Sequence, residues 1–479
     1  MNGLSRIGCW VGLIGFLMAG SAAAITRYVN VSNSTPEAPY TTWETAATSI
    51  RTAVLAASGG DEILVAPGLY ELGGQTIYRA SDQPLTLRST EPLAAVIDAQ
   101  GLCQALQIRG TNSLVEGFTI RNGATANSGG GLLLDNGSTA CNCLIVSNRA
   151  LEGGGIDLKR DAVAENCTIA HNVAAENGGG VFFTLPGVLR DCLVADNTAS
   201  NRGGGIGSLS ASGTVQRCRI VGNQSVQYGG GAFLSGDGMQ VVNSVFEDNV
   251  APRGGGLMAA GSAEAPVDVV HCTIVANTAT DWAGGIYMSG PTRLFNTIVY
   301  HNTATYEPFD VGYLDIDDCV FSNCCTPQIL SGSSLTNAPA FVDFADGDYH
   351  LATASFCIDA GAADAAPADD GDGRPRPQVG TPGGAALPDI GAYEYGFHFN
   401  GIQFIASNVV DLVWDEQDAG IYALDASVPG LVNPAWTNRS IYTNQGLPAG
   451  QFNVHTQRLT ITPPVPVHAA FRLRISRDE

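Results

Sequence analysis

Positive charge is scarce in this chain of 479 residues. Lysine occurs once, at Lys159, and 23 lysine and arginine residues stand against 45 aspartate and glutamate residues, which gives a formal net charge of −22. A nucleic acid or an anionic membrane surface is bound through basic patches, so neither partner is expected. Charged residues of both signs make up only 14% of the chain. This composition favours many tight turns around a β core over long solvated helices.

Long apolar runs are missing beyond the first 24 residues. There, Arg6 precedes an apolar run from Ile7 to Ala19, and a stretch of small residues ends at Ala24. This pattern predicts a secretory signal peptide over residues 1–24, with the mature chain starting near Ile25. No later segment is apolar enough to be transmembrane. We therefore expect an exported protein, extracellular or on the outer cell surface, that is monomeric and either soluble or peripherally attached.

Glycine is abundant, and much of it falls in a repeat with a period near 25 residues. Glycine triplets, the last a variant with alanine first, begin at Gly129, Gly153, Gly178, Gly203, Gly229, Gly254 and Ala283. An asparagine precedes each triplet by five to seven residues, and one more follows the last triplet, at Asn122, Asn148, Asn172, Asn197, Asn223, Asn249, Asn277 and Asn302. A fixed period of this length is typical of a solenoid, in which each unit stacks on its neighbours.

Two further columns keep the same register. Five residues before the asparagine stand Cys143, Cys167, Cys192, Cys218, Ser244, Cys272 and Thr297. Three residues before it the side chain is always apolar, at Ile145, Ile169, Val194, Ile220, Phe246, Ile274 and Val299. The cysteines could form a metal or redox array or a buried ladder, and the absence of recurring C-x-x-C pairs or histidine partners favours the ladder. Four cysteines fall outside that column, and the sequence does not decide whether two of them form a disulfide: Cys319, Cys324, Cys325 and Cys357.

The repeat predicts an all-β fold, a right-handed parallel β-helix. It contains short β-type runs and glycine and asparagine turns, and it lacks the amphipathic period of helical repeats and the leucine pattern of leucine-rich repeats. Equivalent residues of successive coils then lie about 4.8 Å apart, so stacked side chains can bond along the solenoid. The predicted asparagine ladder is Asn148, Asn172, Asn197, Asn223, Asn249, Asn277 and Asn302.

Four stretches resemble known exported proteins. The pattern [I/V/F]-x-x-N followed by G-G-[I/L/V/A], as in FEDNVAPRGGGL, resembles repeats of chlamydial polymorphic outer-membrane proteins and, more broadly, bacterial pectin-lyase-like β-helix proteins. TTWETAATSIRTAVLAASGGDEILVAPGLYEL resembles the start of such proteins, which implies a short capping helix at about Ala46 to Ala57. NAPAFVDFADGDYHLATASFCIDAG and PDIGAYEY resemble the choice-of-anchor Q region, which implies that about residues 337–396, here called the closing segment, close the β-helix.

The expected domains are therefore a signal peptide at 1–24, a β-helix at 25–396 and a small C-terminal β-sandwich at 397–479. In the sandwich, Trp414 and Trp436 are expected in the core, with a sugar-stacking site as the alternative. The resemblance also implies an attachment device, but we find no sorting motif and expect no autotransporter barrel.

We expect the protein to function in binding or adhesion, toward glycans or other surface components. The fold alone does not decide between this function and catalysis. Polysaccharide lyases and glycoside hydrolases of the pectin-lyase-like fold are the alternative. A hydrolase needs paired carboxylates at the scissile bond, and a lyase needs a base beside a site that neutralises the uronate. The chain lacks the G-H-G, N-T-D and R-I-K motifs of polygalacturonases, and Asp317 and Asp318 form a lone pair. Three histidines, His171, His271 and His301, are expected to occupy turn or surface positions.

A binding surface is expected on the strand that follows each triplet. Its first residue should point inward and the next outward. The outward column reads Leu133, Asp157, Phe182, Gly207, Phe233, Met258 and Tyr287. Large apolar side chains in such a column can stack on sugar rings, unless a loop or the C-terminal domain covers them. The predicted ligand-binding stripe is Phe182, Phe233, Met258 and Tyr287.

A calcium site is the other candidate. Asp369, Asp370 and Asp372 alternate with glycines in the stretch DDGDG, and such a loop can wrap several carboxylates around one hard cation. It lacks the final bidentate glutamate of an EF-hand loop. A solvated turn is therefore the alternative.

Overall fold

The chain winds as a parallel β-helix whose coils contribute strands to four sheets, numbered 1 to 4 in the order in which a full coil visits them. A computed structural model describes residues 24–395, apart from 80, 237, 308, 332 and 379–385, and beyond residue 397 it describes the backbones of six strands. Apart from Ala24, the predicted signal peptide lies outside the described residues. Strands of neighbouring coils pair in parallel, as in Leu132↔Ile156 and Ile156↔Val181.

Sheets 1 and 2 lie at successive positions in each coil. Sheet 1 has twelve strands, at Thr26–Val29, Glu62–Val65, Thr86–Ser89, Leu114–Glu116, Thr139–Cys141, Ala162–Glu165, Gly187–Arg190, Gly213–Gln216, Met239–Val242, Val267–Val270, Thr292–Phe295 and Cys319–Ser322. Sheet 2 has ten, at Gly68–Glu71, Ala95–Asp98, Phe118–Arg121, Leu144–Val146, Thr168–Ala170, Leu193–Ala195, Arg219–Val221, Val245–Glu247, Thr273–Val275 and Ile298–Tyr300.

Sheets 3 and 4 flank the glycine triplets. Sheet 3 has seven strands, at Arg149–Glu152, Val173–Asn177, Thr198–Ala199, Gln224–Ser225, Val250–Arg253, Thr278–Trp282 and Thr303–Tyr306. Sheet 4 has ten, at Ile77–Arg79, Leu106–Arg109, Leu132–Asp135, Ile156–Leu158, Val181–Phe183, Ile206–Ser208, Ala232–Ser235, Leu257–Ala260, Ile286–Met288 and Val311–Tyr313. From Gly153 onward, each triplet therefore links a strand of sheet 3 to a strand of sheet 4.

The core is the interior of the solenoid. The apolar column that begins at Ile145 and ends at Val299 is completely buried, as the alternation along sheet 2 requires. The first residue after each triplet, such as Ile156 or Ile206, is buried in the same cluster. Each such side chain contributes about 1.5 to 3 kcal/mol by leaving water. The predicted all-β solenoid is confirmed.

A single α-helix lies near the start of the described chain, at Ile50–Ala56. It is shorter than the predicted Ala46–Ala57, and its buried side chains, Ile50, Ala53 and Val54, join the solenoid core. It contacts strands of sheets 1 and 4. That this helix caps the first coil stays a prediction.

The closing segment does not add another coil to the solenoid. It contains an antiparallel pair, Phe341–Asp343 with Asp348–Leu351, and a short 3-10 helix at Ala363–Ala365. Its apolar side chains, such as Leu351 and Ile390, cover Val245, Val275 and Ile298 on the outer face of sheet 2. The segment therefore runs back along the flank of the solenoid.

The outer corner between sheets 1 and 2 holds the closing segment in place. Residues in the left-handed conformation make this corner, among them Asn243, Asn296 and Asn323. Asn296 exchanges hydrogen bonds of 2.8 and 2.7 Å with the backbone of Ala362, and Asn323 donates to the carbonyl of Ala360 at 2.8 Å. Asparagine tolerates this backbone conformation, and its amide remains available to bond the segment.

Six antiparallel strands follow, at His398–Ala406, Val409–Glu416, Ile421–Ser427, Asn438–Thr443, Asn453–Thr460 and Arg472–Arg477, in two sheets of three. Antiparallel pairing of this kind is what the predicted sandwich requires. The side chains of Trp414 and Trp436 lie outside the described residues.

Candidate functional site

The asparagine ladder is continuous from Asn148 to Asn302, and all seven side chains are buried. The backbone N–H and the side-chain amide of Asn148 donate to Oδ1 of Asn172 at 2.9 and 3.0 Å, and each later rung repeats this pair of bonds. At the last rung, Asn302 donates both bonds to Oδ1 of Asp310 at 2.9 Å. The ladder prediction is confirmed, and Asp310 ends it.

Asn122 does not belong to this ladder. Ile120 pairs with Ile145, so Gly123 is the residue in register with Asn148, and the Gly123 N–H donates to Asn148 Oδ1 at 2.7 Å. Asn122 instead adopts a left-handed conformation and bonds Asp98. Its placement in the sequence column was therefore wrong by one residue.

The cysteine column is a hydrogen-bonding ladder of small buried side chains. The Cys143 thiol donates to the carbonyls of Cys141 and Val115, the latter one coil earlier. Thr297 makes the same two kinds of bond through its hydroxyl. Cys324 repeats the pattern and belongs to the column, contrary to its placement outside it. Cysteine, serine and threonine interchange here because each supplies one short donor.

Every cysteine of the described part of the chain is a free thiol. Cys325 and Cys357 are buried together in the cluster between sheet 2 and the closing segment. Cys319 is partly exposed.

Each glycine of a triplet has its own structural reason, as Gly203, Gly204 and Gly205 show. Gly203 has φ +64, a conformation that side chains disfavour. A Cβ on Gly204 would lie 2.4 Å from the carbonyl oxygen of Gln224 in the next coil. A Cβ on Gly205 would lie 2.9 Å from the side chain of Asn223 in the ladder. The triplet thus lets sheet 3, the ladder and sheet 4 approach each other.

This close approach aligns the residues that immediately precede the triplets into one row along the solenoid. Successive members pair from coil to coil through bridges and strand registers. We call this set the pre-glycine row: Ser128, Glu152, Asn177, Arg202, Tyr228, Arg253 and Trp282, continued by Tyr306. The row was not predicted from the sequence, although its register with the triplets marks it.

The row covers the stripe that the sequence predicted to be exposed. Phe182, Phe233, Met258 and Tyr287 are only 4, 4, 7 and 4% exposed. They do point away from the solenoid core, but Phe233, Met258 and Tyr287 form a separate cluster that Tyr228 also contacts. The guanidinium of Arg202 lies 5.0 Å from the ring centre of Phe233. The prediction that these side chains present a surface for ligands is therefore wrong, and the exposed surface here belongs to the row.

One end of the row is a polar network. Asp157, in the outward column of sheet 4, is fully buried and accepts hydrogen bonds from Ser128 and from Thr184 at 2.7 Å. Its other partner is Lys159, at 3.0 Å. Burial raises the pKa of Asp157 in spite of these partners. Burial also raises the pKa of Glu152, the next row residue.

The middle of the row contains two polar atoms without partners. Asn177 is 3% exposed and donates to Glu152 Oε1 at 3.1 Å, but its Oδ1 has no partner among the described residues. The Nε of the neighbouring Arg202 is likewise buried without a partner there. One acceptor and one donor thus stand on adjacent coils, and both atoms are shielded from solvent.

The other end of the row is aromatic and exposed. Arg202 lies 5.7 Å from the ring centre of Tyr228, and Arg253 pairs with Asp281 at 2.9 Å. Trp282 and Tyr306 then expose 42 and 58% of their surface. From Asn177 to Tyr306 the row crosses five coil steps, about 24 Å at the strand spacing.

The three predicted calcium ligands point to different partners. Asp369 pairs with Arg217 at 2.8 Å, and Asp372 contacts His350 at 2.8 Å. Asp370 is fully buried and accepts the backbone N–H groups of Asp372, Arg374 and Glu394. In the part of the chain that the structure describes, no group of three or more acidic, histidine or cysteine side chains is arranged to hold a metal ion. Asp369 thus ties the closing segment to the solenoid, whereas Asp370 and Asp372 bond within the segment.

The histidines divide between the surface and the core. His171 and His301 are exposed turn residues, as expected. His271 also occupies a turn, but it is fully buried, and its Nε2 lies 2.7 Å from Asn296 Nδ2. Burial lowers its pKa to about 2. Its turn position is one of the two that were expected, and it is buried because the closing segment covers this turn.

A cleft of about 530 Å³ opens between sheet 2 and the closing segment. Leu193 and Val245 lie on its floor, and Arg217, Arg219 and Tyr393 on its walls. Arg219 pairs with the buried Glu247, and Arg217 bonds both Asp191 and Asp369. Because these charges are already paired within the protein, the cleft suits an uncharged group.

Comparisons with known proteins agree with the fold. Residues 104–304 match the family described as right handed beta helix region. The crystal structure of pectate lyase Pel9A superposes with a TM-score of 0.50 and 12% identity, over 78% of this chain and 97% of that chain. The PL6 family polysaccharide lyase Pedsa3628 from Pseudopedobacter saltans gives a TM-score of 0.29 and 13% identity, over 63% and 77%. No curated protein matches the chain.

These similarities concern the fold alone, because the identities are low. In addition, no helix among the described residues is long and apolar enough to cross a membrane. The central part of the chain is therefore a right-handed parallel β-helix, of the architecture seen in pectate lyase Pel9A.

Proposed function

We propose that the protein is a binding module outside the cell that holds a glycan chain along the pre-glycine row. The observation that carries the proposal is the row itself, in which Trp282 and Tyr306 are exposed at one end of a line of planar side chains. Aromatic faces bind the apolar faces of sugar rings, and regularly spaced side chains suit a ligand that is itself a repeat.

The polar members of the row support the same ligand class. Arg202 is partly exposed, and its guanidinium carries several N–H donors for sugar hydroxyls. Arg253 is neutralised by Asp281. The row therefore favours a neutral, hydroxyl-rich polysaccharide over a polyuronate, which the net charge of −22 would also repel.

The proposal is tested by retention on insoluble or gel-embedded polysaccharides, with neutral glucans and xylans compared against polygalacturonate. Trp282→Ala and Tyr306→Ala should each weaken retention on a neutral polymer by about tenfold, because each removes one stacking face. Both side chains are exposed, so the thermal unfolding temperature should change little.

The matched control is Trp43→Ala, which removes a tryptophan that is 41% exposed and lies outside the row. It should leave retention unchanged. If Tyr393→Ala in the cleft abolishes binding while both row variants retain it, the glycan lies in the cleft and the assignment to the row is wrong.

Catalysis is the second candidate, and the raised pKa values of Asp157 and Glu152 favour it. A raised pKa lets a carboxyl group hold its proton to a higher pH, which a general acid on a glycosidic oxygen requires. Reducing ends or unsaturated uronates released by the wild type and lost in Glu152→Gln would establish an enzyme. Activity unchanged in Glu152→Gln would reject this site.

Export is part of the proposed function, and its support is the sequence of the first 24 residues. Expression in a bacterial host and sequencing of the exported protein should give an N-terminus at or near Ile25. The exported chain is proposed to be monomeric, and light scattering should give the mass of a single chain.

A further inference from the structure

The first described residues place a backbone nitrogen against a buried carboxylate. The nitrogen of Ile25 donates to Oδ1 of Asp61 at 2.9 Å. Asp61 is 1% exposed, and its Oδ2 accepts Arg27 Nε at 3.0 Å and the Ser58 N–H at 2.9 Å. Ile25 itself remains 40% exposed.

The same nitrogen belongs to the peptide bond at which the sequence predicts cleavage, after Ala24. We propose that removal of residues 1–24 converts the Ile25 amide into an ammonium group that binds Asp61 and fixes the first strand of sheet 1. The inference rests on the proposed export, because it needs the peptidase that removes signal peptides. It assigns Asp61 as a binding site for the new N-terminus.

The step is a hydrolysis. One water molecule is consumed, its hydroxyl goes to the carbonyl carbon of Ala24, and the C–N bond to Ile25 breaks. The released amine has a pKa of about 8 and takes up a proton at neutral pH. The single donor of the amide is thereby replaced by three donors and a full positive charge, and charge-assisted hydrogen bonds are about twice as strong as neutral ones.

The surroundings of Asp61 can accept this charge. Arg27 bonds Oδ2, whereas Ile25 bonds Oδ1, so the two do not compete for one oxygen. Arg79 also interacts with this carboxylate, and its Nη1 donates to the carbonyl of Ala57 at 2.7 Å, at the end of the helix Ile50–Ala56. The bond between Ile25 and Asp61 is only partly buried, which limits the cost of placing a further cation here.

The strand held in this way begins the solenoid. The Ile25 carbonyl accepts the Glu62 N–H at 3.1 Å, and Thr26 pairs with Glu62. An anchored ammonium would therefore resist fraying of the first strand of the twelve-stranded sheet.

The test compares a chain that begins at Ile25 with one that begins at Ala24, both otherwise complete and both prepared by direct release from a removable fusion partner. At pH 6 to 7 the Ile25 chain should have an unfolding equilibrium constant about tenfold smaller. The difference should shrink as the pH rises through the pKa of the ammonium, which the carboxylate raises. Asp61→Asn should remove the difference, and Asp82→Asn, at an exposed carboxylate, should keep it.

A second measurement does not depend on the stability of the Asp61 variant. At pH 7 an acylating reagent should modify the Ile25 amine more slowly than it modifies an unstructured peptide with the same N-terminus, because the bound ammonium cannot react. Mass spectrometry resolves the reaction readily, since Lys159 is the only lysine.

Equal stability of the two chains at every pH, or acylation as fast as in the peptide, would overturn the inference. Export is judged separately, by the N-terminal sequence of the secreted protein. A failure of the proposed export is therefore distinguishable from a failure of the proposed contact between the Ile25 ammonium and Asp61.

Discussion

At the scale of single residues, the asparagine ladder shows how many hydrogen bonds depend on one side chain. Asn197 accepts the backbone and side-chain N–H groups of Asn172 and donates to Asn223 and to the carbonyl of Ile169. A buried donor that loses its acceptor keeps its full desolvation cost. The ladder therefore couples each rung to the rung before it.

Asn197→Ala should destabilise the protein by about 3 kcal/mol, because it strands two buried donors of Asn172 and opens a small gap. Chemical denaturation measures this directly. Asn127→Ala, at an exposed asparagine, is the control and should cost little. Equal effects of the two substitutions would show that the ladder bonds contribute no net stability.

The ladder was predictable because its period is local and its residue type hardly varies. Asp310 was not, since it follows the last full repeat and no register points to it. Cys324 was misplaced for the same reason: the loop before it changes the spacing. Sequence reasoning thus worked where the coil length is constant and failed where it changes.

At the scale of elements, the glycine triplets decide how closely sheets 3 and 4 approach. A Cβ on Gly204 would lie within 2.5 Å of the backbone nitrogen, carbonyl carbon and oxygen of Gln224, and none of these atoms can turn aside. The pre-glycine row depends on this close approach.

Gly204→Ala should cost about 3 kcal/mol, since overpacking against backbone can be relieved only by moving a strand. It should also weaken glycan retention by displacing Arg202 and Tyr228. Gly73→Ala is the control, because no atom lies within 4 Å of its added carbon and only its left-handed backbone is strained, at about 1 kcal/mol. Thermal unfolding compares the two, and similar losses would mean that the triplet is not tightly packed.

The prediction that the stripe is exposed failed because of the way the strands of sheets 3 and 4 are arranged. The alternation along sheet 4 correctly placed Phe182 and Phe233 outside the solenoid core. Alternation does not show what lies above an outward side chain, and here the ends of the sheet 3 strands lie above it. The row varies in residue type from serine to tryptophan, so only its register with the triplets could have revealed it.

At the scale of the whole molecule, charged contacts within the closing segment respond to pH. The imidazole of His350 lies 2.6 Å from Asp348 and 2.8 Å from Asp372, and its ring stacks on Tyr393 at 4.2 Å. Burial lowers the pKa of His350, but the two carboxylates outweigh it and raise the pKa to about 9.

Because the folded pKa is raised, the stabilisation from His350 is complete below about pH 6.5 and is lost as the pH rises through about 9. Hydrogen exchange in residues 340–395 should therefore accelerate, beyond its intrinsic pH dependence, between these values. His350→Gln should abolish this extra acceleration, whereas His171→Gln, at an exposed histidine, should preserve it. An extra acceleration that persists in His350→Gln would assign it to another group.

The asparagine ladder also gives the solenoid an electrical direction. In every rung the side-chain oxygen accepts from the preceding coil, and the backbone N–H and one side-chain N–H donate to the next, so the seven side-chain carbonyl dipoles share one direction along the axis. The C-terminal end of this line is its positive pole, and there the carboxylate of Asp310 receives the last two bonds. The two ends of the solenoid are therefore electrically unlike, and the acid stands where the summed field favours a negative charge.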